Sequence, residues 1–200
     1  MSVLENMHAS EAFKVILKEG MFEKLTTEQF RTVRRRIIEC ILATDMANHG
    51  KNLNEMKVKF ESFDIFDGNN VDLLILPDNA NNATLKNNEN VQMILSECVH
   101  TADISNPAKM NSIFIKWTEI LYQEFFTQGD TEKELGKNPS FLCDRETTNI
   151  YKSQVGFLKF VVIKQFETMY NVMPEIKIYL DNIKMNLKYS EDQVELEIYS

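Results

Sequence analysis

An all-α fold is predicted by three features of this 200-residue sequence. Gly and Pro number only 6 and 4, the long stretches between them repeat apolar residues at helical spacing, and neither strand–helix alternation nor an internal repeat interrupts them. The first helix is expected over residues 2–18, opened by Ser2 and Glu5 in a capping-box relation, with Ala9, Ala12, Phe13, Ile16 and Leu17 on one stripe and Gly20 as the stop. The second begins near Thr26, with Gln29 three residues on. It carries Phe30, Val33, Ile37, Ile38, Ile41 and Leu42 inward and a face of Arg31, Arg34, Arg35 and Arg36 outward. A weaker third helix covers about 52–63 through Leu53, Met56, Phe60 and Phe63.

Between Asp64 and Asn90 the composition shifts to Asn, Asp and Gly, which reads as an inserted loop excursion. Its one apolar patch, VDLLIL at 71–76, is either a short strand or a tethered turn. A further helix is marked by Val91, Ile94, Leu95, Cys98 and Val99, and breaks at the Ser, Asn and Pro of HTADISNP, 100–107. Residues 109–127 are amphipathic through Ile113, Phe114, Trp117, Leu121 and Phe125, and a polar loop with Gly129, Gly136 and Pro139 follows. A long helix runs from about Arg145 to Tyr170, and Pro174 begins a last one to about Lys188. The remainder, 189–200, carries four acids and no base and reads as a solvated acidic tail. One domain over 1–188, with the insertion at about 64–90, is the expected organisation.

Thirty acids against 22 bases give a net charge of -8, which argues against wrapping a nucleic acid polymer or coating an anionic membrane. No apolar run approaches the roughly 20 residues of a transmembrane helix, and the N-terminus lacks the basic start and apolar core of a signal peptide. Cys40, Cys98 and Cys143 are odd in number and widely spaced, as free thiols in a reducing compartment would be, so a cytoplasmic protein is expected.

Few residues carry chemistry on their own. His8, His49 and His100 are the three histidines, and each suits a structural hydrogen bond as readily as a ligand role. Asp103, three residues after His100 where a helix ends, suits either an ion or the cap of the next helix. Glu5, Thr44 and Asp45 sit where polar groups commonly satisfy backbone, and the Trp117, Leu121, Phe125 stripe is core by default.

Their joint order is more specific. SVLEN-x-H at 2–8, ATDM at 43–46, HTADISNP at 100–107, WT-x5-EFF-x-QGD at 117–130, LCD at 142–144 and KSQVGF at 152–157 together resemble the class I cyclic nucleotide phosphodiesterases from residue 2 to about 170. The resemblance implies an all-helical, HD-domain-like catalytic domain holding two divalent ions, zinc with magnesium or manganese, which activate a hydroxide that opens the cyclic phosphate to the 5′-nucleotide. It implies that Asp103 is a metal-ligating aspartate. It also implies that Gln154 hydrogen-bonds the purine, that Phe157 and Leu121 flank the two faces of the base, and that Asn106 meets the base edge. Glu5, His8, Thr44, Asp45 and His100 resemble positions that orient metal-bound water and ligands.

The chain also departs from the pattern. No HN, HD or HxxxH pair occurs in it, so the family's acid histidine and its other metal ligands have no counterpart, and Met7 stands where a second histidine often follows LEN. The expectation is therefore a C-terminal portion of a catalytic domain, without its N-terminal helices, that by itself retains no metal and hydrolyses neither cyclic AMP nor cyclic GMP. The alternative is a catalytically dead protein that binds a nucleotide or acts as a subunit. Apolar stripes such as Ile37, Ile41 and Leu42, or Phe157, Phe160 and Ile163, are expected to be left bare and to favour association, including homo-oligomers.

Overall fold

A computed structural model describes residues 2–61 and 83–198, and among them every element is helical. The described residues form two compact units. One takes in Met1–Asp103 with Asn171–Pro174, the other Ile104–Tyr170 with Glu175–Ser200.

In the first unit α1 (Val3–Lys18) packs on α2 (Thr27–Leu42), which packs in turn on α4 (Ala83–Asp103). The predicted capping box at Thr26 is present: its hydroxyl accepts from Gln29 N and the Gln29 side chain returns to Thr26 N. The one predicted at Ser2 is not. Ser2 donates its hydroxyl to Asp45 Oδ2 at 2.6 Å, a tertiary bond that takes the group away from its own helix end. Gly20 (φ +62°) adopts the left-handed conformation just beyond α1, where a Cβ would be strained. Ile37, Ile41 and Leu42 are half-buried between the neighbouring helices, not bare. A short 3-10 turn, Met46–Asn48, leads into α3 (His49–Glu61), whose buried residues include Leu53 and Met56.

Most of the Asn-rich stretch, with its VDLLIL patch, lies outside the described residues. Residues 83–90, expected as loop, instead form the start of α4. The buried side of α4 also differs from expectation. Leu95 and Val99 are exposed, and Ser96, Glu97, His100 and Thr101 are the buried residues.

The second unit begins with a 3-10 turn, Asn106–Ala108, followed by α5 (Asn111–Glu134), α6 (Ile150–Phe157), a wide π-type turn at Leu158–Val162, α7 (Ile163–Val172) and α8 (Lys177–Ile198). Its core gathers Phe114, Leu158, Val162, Phe166, Leu180 and Ile183, with Phe157 and Ile163 packed on its edge. Of the stripe expected to be bare there, only Phe160 is largely exposed.

Three boundaries move. The helix predicted from Arg145 starts at Ile150, because Asn149 caps it by accepting from Lys152 N at 2.7 Å. Gly129 lies inside α5, not in the following loop, and that loop presses on it so closely that a Cβ would meet Cys143 O at 1.9 Å. The sequence beyond Lys188 is helical through Ile198 and not a separate tail, and Ser190 is fully buried in it. Lys188–Asp192 and Lys159–Glu191 ion pairs accompany that last stretch.

Candidate functional site

In the second unit the 3-10 turn that presents Asn106 is tied to α8. Asn186, fully buried, donates to Pro107 O and Lys109 O at 2.8 Å each, Asn182 donates to Ala108 O at 3.0 Å, and Asn111 donates to Asn186 Oδ1. These bonds satisfy carbonyls that the Pro-containing turn leaves without helical partners. Gln154 and Phe157 share one face of α6 by their i, i+3 spacing. Gln154 is only 4% exposed, and its amide is hydrogen-bonded to the hydroxyl of Tyr122 on α5, the residue after Leu121. Burial raises the Tyr122 phenol above its ordinary range, opposed by hydrogen bonds with Ser153 and Gln154.

Tyr122 had not been singled out from the sequence. Of the expected α5 stripe, Ile113 and Trp117 face outward, Trp117 being 45% exposed, Leu121 and Phe125 are half-buried, and Phe114 is buried together with Thr118 and Tyr122. Spacing shows that α5 has an apolar side, but only its neighbours α6 and α8 determine which stripe turns inward.

The first unit holds the remaining candidates. Thr44 donates to Ile41 O, and Asp45 receives Ser2 and the Ala47 N–H, which together lower its carboxyl below the usual range. Glu5 is half-buried and His8 exposed on α1. His100 is almost fully buried, and its Nε2 lies 2.9 Å from Nδ1 of buried His49, so one ring donates to the other. The other nitrogen of His100, Nδ1, has no hydrogen-bond partner. Burial first, and then the nearby His49, hold His100 below the ordinary imidazole range, against the opposing pull of Asp103. The residue type at position 49 gave no warning of this pairing, since it joins α3 to α4 across 51 positions of sequence.

Asp103, the last residue of α4, is exposed. Among the described residues, no group of three or more His, Cys, Asp or Glu side chains is placed to hold a metal ion. A lone exposed carboxylate competes poorly with water for a divalent cation, so the residues present do not make up the two-ion centre that the sequence resemblance implies.

Gln154, buried, and Phe157, half-buried, thus stand on one face of a helix in an all-helical scaffold. The comparisons narrow the class. The profile of the 3′5′-cyclic nucleotide phosphodiesterase family matches residues 1–183, and the chain belongs to that family. A rat protein named 3′,5′-cyclic-AMP phosphodiesterase 4C is 35% identical over 196 residues, which is 96% of this chain and 34% of that protein. The Drosophila melanogaster 3′,5′-cyclic-AMP phosphodiesterase, isoform F, is likewise 35% identical over 196 residues, 28% of its own length. The crystal structure of the phosphodiesterase domain of a RhoPDE fusion protein from the choanoflagellate Salpingoeca rosetta matches all of this chain and 59% of that one, with a TM-score of 0.80 and 29% identity. The chain thus spans about a third of these curated relatives' length, and no described helix is long and apolar enough to cross a membrane.

Proposed function

We infer that this chain carries the base-recognising portion of a cyclic nucleotide phosphodiesterase catalytic domain, whose reaction is hydrolysis of cyclic AMP, cyclic GMP or both to the 5′-nucleotide. The observation that carries the reading is the buried Gln154 amide held by the Tyr122 hydroxyl. An amide restrained in this way presents one donor and one acceptor to a purine edge without ordering cost at the moment of binding. In this role Phe157 stacks on the base, Leu121 closes its other face and Asn106 meets its edge. In the first unit Asp103 supplies one carboxylate toward a metal site, and Glu5, His8, Thr44, Asp45 and His100 orient water and ligands there. Three free thiols support a cytoplasmic setting.

Polypeptide 1–200 by itself then binds cyclic nucleotide weakly and hydrolyses none, because no chelating set for the ions stands among its described residues and its sequence has no counterpart of the family's acid histidine for the leaving 3′ oxygen. Such an acid contributes about 10²–10⁴-fold. Metal analysis and a cyclic AMP hydrolysis assay on the purified chain are the test: under one tenth of an ion per chain and no product are expected. Two ions per chain, or turnover unaided, would overturn the reading. The missing donor cluster among the described residues equally suits a protein that binds nucleotide without hydrolysing it. Adding the complementary N-terminal part of the choanoflagellate domain in trans separates the two: restored hydrolysis favours the enzyme portion, and binding without hydrolysis favours the second reading.

A further inference from the structure

A second cavity, distinct from the face of Gln154 and Phe157, opens in the same unit between α5, the start of α6 and α8. It measures about 260 Å³. An apolar cavity of roughly 150 Å³ accepts benzene, so this one has room for a fused two-ring system. Its walls are apolar and aromatic: Phe114 and Ile115 from α5, Tyr151 from α6 and Tyr189 from α8. The two tyrosine rings meet edge to face, with centroids 6.1 Å apart and planes at 77°.

Two polar groups on adjacent positions of α5 line this cavity without partners. Thr118 is 8% exposed. Thr127 and Thr131 on the same helix donate their hydroxyls to the carbonyl four residues back, but Thr118 makes no hydrogen bond with any described residue. Its hydroxyl is reached from the cavity, where a ligand group that bonds to it replaces water. Glu119, next in sequence and on the cavity rim, has no cation within ion-pair distance among the described residues, although Lys116 lies one turn away. Aromatic walls whose ring faces attract a cation, an unmatched hydroxyl and an unneutralised carboxylate together select a positively charged organic amine with a flat apolar body.

We propose that this cavity is a binding site for an arylalkylammonium ion, its ring held by Phe114, Tyr151 and Tyr189 and its ammonium group shared between the Thr118 hydroxyl and the Glu119 carboxylate. The site is independent of the nucleotide reading, and so is its test. Tryptamine is titrated into the full chain while the methyl resonances of Ile115 and Ile150 are followed, with indole-3-propionate as the oppositely charged probe of similar shape. Saturable shifts with tryptamine are expected, at least tenfold weaker ones with indole-3-propionate, and about a fivefold loss of tryptamine affinity in Glu119→Gln, the scale of one exposed ion pair. Glu119 is exposed, so that variant keeps its fold, as an unchanged melting temperature will verify. Thr118→Val, which keeps the side-chain shape, is expected to weaken tryptamine several-fold more than it weakens indole. Equal binding of the two charged probes, tryptamine binding unaffected by both substitutions, or no saturable shift at all would each overturn the proposal.

Discussion

α4 buries Ser96, Glu97, His100 and Thr101, whereas α6 to α8 bury Leu158, Val162, Phe166, Leu180 and Ile183. The first set depends on hydrogen bonds, although His100 Nδ1 finds none among the described residues. Gln92 donates to Ser96 Oγ and to Arg36 O, Thr101 donates to Glu97 O, and His49 pairs with His100. The second set needs only shape and volume. The difference lies in what is titratable: the buried side of α4 includes an imidazole whose stability contribution depends on protonation, whereas α6 to α8 join an apolar cluster to buried Gln154, Gln165, Thr168, Asn186 and Ser190, none of which ionises.

The largest effect is expected in the apolar cluster of the second unit. Ile183→Ala or Leu158→Ala, each at a fully buried position, should cost about 2–5 kcal/mol, read as a lowered urea midpoint. Equal tolerance of alanine at Leu158 and at exposed Phe160 would erase the contrast. Gly129→Ala comes next. Its added Cβ would collide with the Cys143 carbonyl, and about 1–3 kcal/mol of destabilisation is expected, with faster proteolysis in the 136–149 loop.

The polar side of α4 should respond to pH. His100 has a lowered folded pKa, so below about pH 6.5, the ordinary imidazole value, the unfolded chain takes up a proton that the folded one resists. Its contribution is therefore fully present above that pH and is lost as pH falls through the folded pKa. Urea midpoints should drop between pH 7.5 and 5.5 in the native chain and drop less in His100→Asn; identical slopes would contradict the burial argument. The smallest effect is reserved for Arg145→Gln. Its pairing with Asp130 is exposed, and a shift of the urea midpoint close to nil is expected.

Much of this architecture could be read from sequence, and the limits have physical causes. Helical spacing and the Thr26–Gln29 pair located α2 because both signals are local. The stripe on α5 is right at Phe114 and rotated at Trp117, because a side chain such as Thr118 is buried by the elements around it and not by its own polarity. Gly129 reads as a loop residue since glycine weakens helices, yet it lies within α5, where the close approach of Cys143 requires it. The last helix outran its prediction because charges at Lys188 and Asp192 pair along its surface while Ser190 turns inward. Of the candidate site, the ordered motifs single out Gln154 and Phe157 as proposals, whereas Tyr122 beside Gln154 and the His49–His100 pair are visible only with helices distant in sequence set side by side.

Base recognition by a restrained Gln154 is tested most directly by following its side-chain amide in ¹⁵N-labelled chain during titration with cyclic AMP and cyclic GMP in EDTA. Concentration-dependent shifts of that amide with at least one of the two nucleotides are predicted, diminished in Tyr122→Phe and abolished in Phe157→Ala. An amide that stays in place at millimolar nucleotide, or one that shifts identically in all three chains, would contradict it.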